Sequence, residues 1–223
     1  MHLLKVGLLT IFSSLLLSAS SLNIVNSGFE TPNISVGVHG GCAGSGGANF
    51  VYNPSGCGQA WAFLNLSGLA HNTSAFGDPL GPDSSAQVAF LQNVSSSFSQ
   101  TITGIDIGAT YTISFFANER NCCGAGDLAQ SVSVLFGGVT LSFNNGASTS
   151  VLPGTVNWTQ YTTDPFVTTS STAVLMFEGN NDVGGDSTAF IDQISSNAAP
   201  EPGTWGLIAS GLSGLIWSRR RKK

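Results

Sequence analysis

The sequence predicts an all-β protein: a jelly-roll β-sandwich flanked by an N-terminal signal peptide and a C-terminal short apolar helix. Three observations carry that reading. Apolar residues in the body recur with a period of two, as they do in strands with one buried and one wetted face. Gly, Ser, Asn and Asp separate these runs at close spacing, and no stretch has the period of an amphipathic helix. The bases are sorted by position, six of the seven lying in the two terminal segments.

Residues 1–21 read as a secretory signal peptide. Lys5 supplies one positive charge, Val6 to Leu17 is almost wholly apolar, and the small residues Ser18-Ala19-Ser20-Ser21 follow. The body, 22–197, opens with a strand candidate at Leu22 to Phe29. Others follow at Ala60 to Asn65, Ala86 to Leu91 and Ser97 to Thr103. Tyr111, Ile113 and Phe115 alternate with Thr112 and Ser114, and the same alternation runs through Ser131 to Phe136 and Val139 to Phe143. Trp158 to Thr163, Ala173 to Glu178 and Ala189 to Ile194 complete the set. Between two of these runs, Gly137-Gly138 predicts a tight hairpin, because glycine reaches the positive φ that two-residue turns require. With no internal repeat and no linker, one domain fills the body.

Charge narrows the function classes. Between Asn23 and Asn197 eleven acids face a single base, Arg120, a formal net charge of −10. Such a surface repels phosphate backbones and anionic lipids, which excludes nucleic acid as a natural partner and suits cations or neutral polymers.

The tail, 198–223, has three parts in order. Pro200-Glu201-Pro202 is a stiff breaker, Trp205 to Trp217 is free of ionisable groups, and Arg219-Arg220-Arg221-Lys222-Lys223 is a basic clamp. A thirteen-residue helix spans roughly 20 Å against about 30 Å of bilayer hydrocarbon, so it suits a transient anchor. The clamp stays cytoplasmic and leaves the body outside. This arrangement resembles the PEP-CTERM sorting signal of Gram-negative bacteria. The resemblance implies export, transient membrane insertion through the apolar helix, removal by an exosortase-type enzyme, and delivery to the cell surface or extracellular matrix.

The body resembles galactose-binding-like β-sandwich domains, which include many carbohydrate-binding modules. The resemblance rests on Asn26-Ser27-Gly28-Phe29-Glu30-Thr31-Pro32, then Trp61-Ala62-Phe63, Gly68-Leu69-Ala70, Gln87 to Gln92, Phe98 to Ile102, Gly108 to Phe115 and Ala189 to Ile194. It implies the jelly roll, and a fold alone names no ligand. Period two sets Asp192 on the face of Phe190 and Ile194, where a carboxylate must be paired, protonated or metal-bound. Glu30, beside Phe29, raises the same question. In this family the first and last strands lie close together and matching carboxylates often ligate a structural calcium, which makes Glu30 and Asp192 the metal candidates. A second acidic patch, Glu178 to Asp186, lacks the calcium-loop spacing of an EF-hand and reads as a polar loop.

Four cysteines, Cys42, Cys57, Cys122 and Cys123, fit an oxidising compartment and allow three pairings. A local Cys42–Cys57 bridge would restrain a Gly-rich loop and leave a strained vicinal pair. Cross-pairing between the two regions avoids that strain and is the pairing expected here.

The ligand-binding candidates are Asn118, Glu119, Arg120 and Asn121 at a strand exit, with Trp61 as a stacking platform and Tyr52 and Trp158 as further aromatics. An arginine fork and amides suit sugar hydroxyls, and aromatic rings suit sugar faces. The catalytic signatures of hydrolases, metalloproteases and nucleotide enzymes are missing, and His39 and His71 have no evident partner. The expected function is therefore an exported, non-enzymatic envelope or matrix protein that binds polysaccharide weakly. A purely structural matrix protein competes with it. A glycan-active hydrolase using two of the acids is a third reading.

Overall fold

A computed structural model describes residues 20–77, 80–121, 130–181 and 186–199. The signal peptide, the sorting segment with Pro200, Glu201, Pro202, Arg219, Arg220 and Arg221, and Cys122 and Cys123 lie outside them. Residues 20–199 form one compact unit.

Two antiparallel sheets make up this unit. The larger contains β1 (Ala43–Gly47), β2 (Phe50–Ser55), β4 (Ser67–His71), β5 (Gln87–Gln92), β13 (Thr188–Ala198), β7 (Thr110–Glu119) and β10 (Thr159–Thr162), in that spatial order, with β11 (Phe166–Val167) also on β7. The smaller runs β3 (Ala62–Leu64), β6 (Ser97–Thr103), β12 (Thr172–Gly179), β8 (Val132–Phe136) and β9 (Val139–Thr140). The chain therefore folds as the β-sandwich that its alternating residues predict.

The core lies between the inner faces. One inner row of the larger sheet runs Val51, Leu69, Ala89, Ile191 and Ala117, paired across successive strands and all essentially inaccessible. Facing it, Phe98 stacks on Phe177 with ring centroids 5.1 Å apart, and Trp61, Phe29 and Phe115 close around that pair at 5.1–5.4 Å. The Gly137-Gly138 hairpin joins β8 to β9 with φ of 59° and 82° at the two glycines, values that side-chain-bearing residues rarely adopt.

The opening segment departs from expectation. Leu22 to Phe29 forms turns and no strand. Glutamine side chains satisfy much of its backbone: Gln100 accepts from Val25 N at 2.8 Å and donates to Val25 O at 2.9 Å, and Gln87 donates to Phe29 O. A buried glutamine offers the same donor and acceptor as a strand neighbour, so the segment is held without joining a ladder.

Candidate functional site

Strand pairing places side chains on the outer face of the larger sheet in rows. Tyr52, Gly68, Phe90, Phe190 and Asn118 are successive cross-strand partners, so they share one face across five strands. Phe50 pairs with Ala70 and Ala70 with Val88 in the row beside it, and Gln92 pairs with Thr188 on the other side. Only glycine fits at position 68, because a Cβ there would stand 2.8 Å from the Phe90 ring and collide with the carbonyl of Val51. Tyr52 and Phe90 thereby meet edge-to-face at 5.0 Å.

This outer cluster is covered by a loop, not by a sheet. Phe76 lies on Phe90 with centroids 4.5 Å apart and also touches Phe50, Tyr52 and Phe190. Phe50, Tyr52 and Trp158 form a partly exposed margin, and Trp158 Nε1 donates to Leu80 O at 2.7 Å.

Arg120 fastens the loop. Its guanidinium carbon sits 4.7 Å above the Phe76 ring, Nε donates to Phe76 O at 2.9 Å, and an Nη donates to Ala75 O at 3.1 Å. A second Nη pairs with Asp186, which also accepts from Gln92 Nε2. Gln92 Oε1 in turn accepts from the Tyr52 hydroxyl at 2.7 Å. The resulting polar chain, Tyr52–Gln92–Asp186–Arg120, borders the aromatic face. Burial pushes the Tyr52 hydroxyl pKa up, Asp186 adds to that rise and Arg120 opposes it.

The predicted site residues separate on this frame. Asn118 belongs to the outer row but is buried, Arg120 is largely covered, and Asn121 is exposed. Glu119 faces the other way: it is buried, and its Oε1 accepts from Gln130 N at 2.8 Å. Trp61 is a correction. It is 1% exposed in the core, its Nε1 donates to Asn26 O at 3.1 Å, and neither ring face is open to a ligand. Phe76, Gln92 and Asp186 went unrecognised. The interrupted apolar pattern around Phe76 carries no period from which its position could be read.

The carboxylate pair needs a different account from the one period two gives. Asp192 is fully buried and shares the outer face with Phe190 and Phe116. A bulge follows it, with Gln193 at φ 49°, so Ile194 turns to the inner face. Ser85 Oγ donates to Asp192 at 2.7 Å and Gln193 N at 2.8 Å. Burial, with smaller contributions from Asp83 and Glu30, raises the Asp192 pKa to about 7 despite those two bonds. Glu30 is exposed; partial desolvation raises its pKa, Gln87 N opposes this, and Asp83 adds to the rise. Among the described residues no three carboxylate, histidine or cysteine side chains stand close enough to chelate a metal. The donor chemistry still fits calcium, since Glu30 and Asp192 are oxygen donors that repel each other and gain from a cation.

The expected cross-pairing of cysteines is also corrected. Cys42 and Cys57 form a local disulfide with Cα atoms 4.7 Å apart. The β1–β2 hairpin between them returns the chain on itself, which brings the two ends together and makes the local bridge geometrically direct.

Comparison with known proteins identifies the tail and the architecture. Residues 198–222 match the PEP-CTERM protein-sorting motif. A chain with this motif is exported and held in the membrane before cleavage. No curated protein shows significant similarity to the chain. A cyclase from Fischerella sp. TAU in complex with 4-(1H-indol-3-yl)butan-2-one is similar at 16% identity and TM-score 0.53, over 82% of this chain and 98% of that one. The Stig cyclase Fisc from the same source gives 18% identity and TM-score 0.53, over 82% and 99%. The CBM36-1 domain of a multidomain xylanase from the hindgut metagenome of Trinervitermes trinervoides matches at 17% identity and TM-score 0.39, over 50% and 77%. The cyclases share the fold; their chemistry does not transfer at these identities.

Proposed function

We propose that this exported chain works beyond the inner membrane as a non-catalytic envelope or matrix protein that binds polysaccharide weakly. The contact surface is the outer face of the larger sheet, from Trp158 and Tyr52 to the strand exit at Asn118–Asn121. The observation that carries this reading is the partly exposed margin of Phe50, Tyr52 and Trp158 around the covered aromatic cluster, with polar groups beside it, a combination suited to sugar rings and hydroxyls. Arg120 acts there by holding Phe76 and Asp186 in place. An exosortase-type enzyme removes the tail and delivers the body to the surface or matrix.

Affinity-gel electrophoresis with neutral polysaccharides tests the reading. Wild type is retained, and Trp158→Ala and Arg120→Ala migrate faster. Retention unchanged in both variants removes the assigned surface. No retention of wild type in any gel favours the purely structural matrix protein. Polysaccharide turnover that vanishes on removal of one acid points to a hydrolase instead.

A structural calcium at Glu30 and Asp192 belongs to the same reading. Neighbouring carbonyls and water complete the six to eight oxygens that the ion takes. A melting temperature that is identical with calcium and with chelator contradicts it.

A further inference from the structure

One end of the sandwich is closed by a polar junction that joins both sheets. The chain crosses from β5 to β6 through Asn93–Ser96, while β7 ends at Glu119, β12 ends at Gly179, and Gln130 and Ser187 stand just ahead of β8 and β13. Backbone bonds knit these ends together: Asn93 N donates to Ser187 O at 3.0 Å, and Ser95 N to Gly179 O at 3.0 Å. The packing admits no side chain at position 179. A Cβ there would stand 2.5 Å from Ser96 Oγ and 2.8 Å from Asn93 O, and would collide with the Gln130 amide.

Four donors of this junction, Asn93 N, Ser96 Oγ, Gln130 N and Gln130 Nε2, find acceptors, while two acceptors are left over. Gln130 Nε2 donates to Asn93 O at 3.0 Å and Ser96 Oγ donates to the same carbonyl at 2.8 Å. Gln130 N donates to Glu119 Oε1. Gln130 Oε1 and Asn93 Oδ1, both buried atoms, have no hydrogen-bond partner among the described residues. Gln130 is 0% exposed and Glu119 is 3% exposed. An orphaned buried carbonyl is costly, and two of them joined by a hydrogen-bonded pair beside a buried carboxylate make a concentration of negative potential. A hard cation answers the two orphan oxygens, with the Glu119 carboxylate as the negative charge beside them, because amide carbonyls and carboxylates are its usual ligands. The acidic body raises the local concentration of such ions.

We propose that Asn93, Gln130 and Glu119 form an oxygen-lined cation site of the calcium class, sharing no residue with the Glu30 and Asp192 pair. Two neutral amides and one carboxylate define a weak site, suited to the calcium levels outside a cell. Water completes the shell.

The test titrates calcium chloride by calorimetry into the full chain in mild detergent, carrying Glu30→Gln and Asp192→Asn so that the other pair contributes nothing. Binding persists in this background, with Kd on the order of 10⁻⁴ to 10⁻³ M. Asn93→Asp turns one orphan oxygen into a carboxylate and tightens calcium about tenfold or more; Glu119→Gln keeps the shape and weakens it by a similar factor. No binding heat in the double-variant background overturns the proposal. So does an Asn93→Asp chain that melts lower by the same amount with calcium and with chelator, the result expected if a buried water bridges the two oxygens.

Discussion

On its inner face the larger sheet meets a second sheet, and Trp61, Phe98, Phe115 and Phe177 are sealed from solvent between them. On its outer face Phe90 and Phe190 lie under the loop residue Phe76, which Arg120 holds, with Trp158 and Tyr52 at the margin. Both clusters bury aromatic rings. The first is committed to stability, since nothing short of separating the sheets exposes it. The second is covered by a loop and not by a sheet, and it is bordered by groups able to pair with a ligand.

The sharpest way to break this contrast is truncation at each centre. Trp61→Ala removes a core ring and costs about 3–5 kcal/mol of folding free energy, read by chemical denaturation. A loss below about 1 kcal/mol would deny Trp61 its core role. Arg120→Ala, by removing an ion pair, two backbone contacts and a cation–π contact, costs about 1–3 kcal/mol and raises proteolysis within the 73–86 loop before the body is cut. Cleavage that begins elsewhere argues against Arg120 as the fastener.

Titration gives an intermediate effect on the outer side. Asp192 has a pKa raised to about 7 in the folded chain against about 3.9 unfolded, so the native state holds the proton more tightly. Its contribution favours the fold at acid pH and is lost progressively as pH rises from about 4 to 7. In chelator, Asp192→Asn therefore melts higher than wild type at pH 8 and about level with it below pH 4. A gain that is equal at both pH values contradicts the assignment. Trp158→Ala costs less than Trp61→Ala, about 1–2 kcal/mol, because its ring keeps part of its surface in solvent.

How far these regions were legible follows from their physics. Strand β6 was read with its true limits, Ser97 to Thr103, because Phe98 and Ile102 alternate with polar neighbours. The inner core was legible for the same reason. Strands β1, β2, β4 and β11 carry no legible strand signal: AGSGG has no large apolar residue with which to mark a face, and FVYNPS ends in a proline and a turn former. The outer site was legible only in part. Arg120 was visible as the lone base of the body, yet its role depends on Phe76 and Asp186, which are 44 and 66 residues away in sequence. Asp192 was legible as a buried acid, but the bulge at Gln193 that separates it from Ile194 has no signal in a plain alternating run. Trp61 misled because a tryptophan beside a turn can serve either a core or a platform, and only the position of β3 decides which.

The contrast between the faces is tested most directly by polysaccharide retention in paired variants. Trp158→Ala, on the outer margin, and the conservative core change Trp61→Phe are compared with wild type in one affinity gel. The account predicts that Trp158→Ala loses retention while Trp61→Phe keeps it; equal retention of both variants, or loss in Trp61→Phe alone, would contradict it.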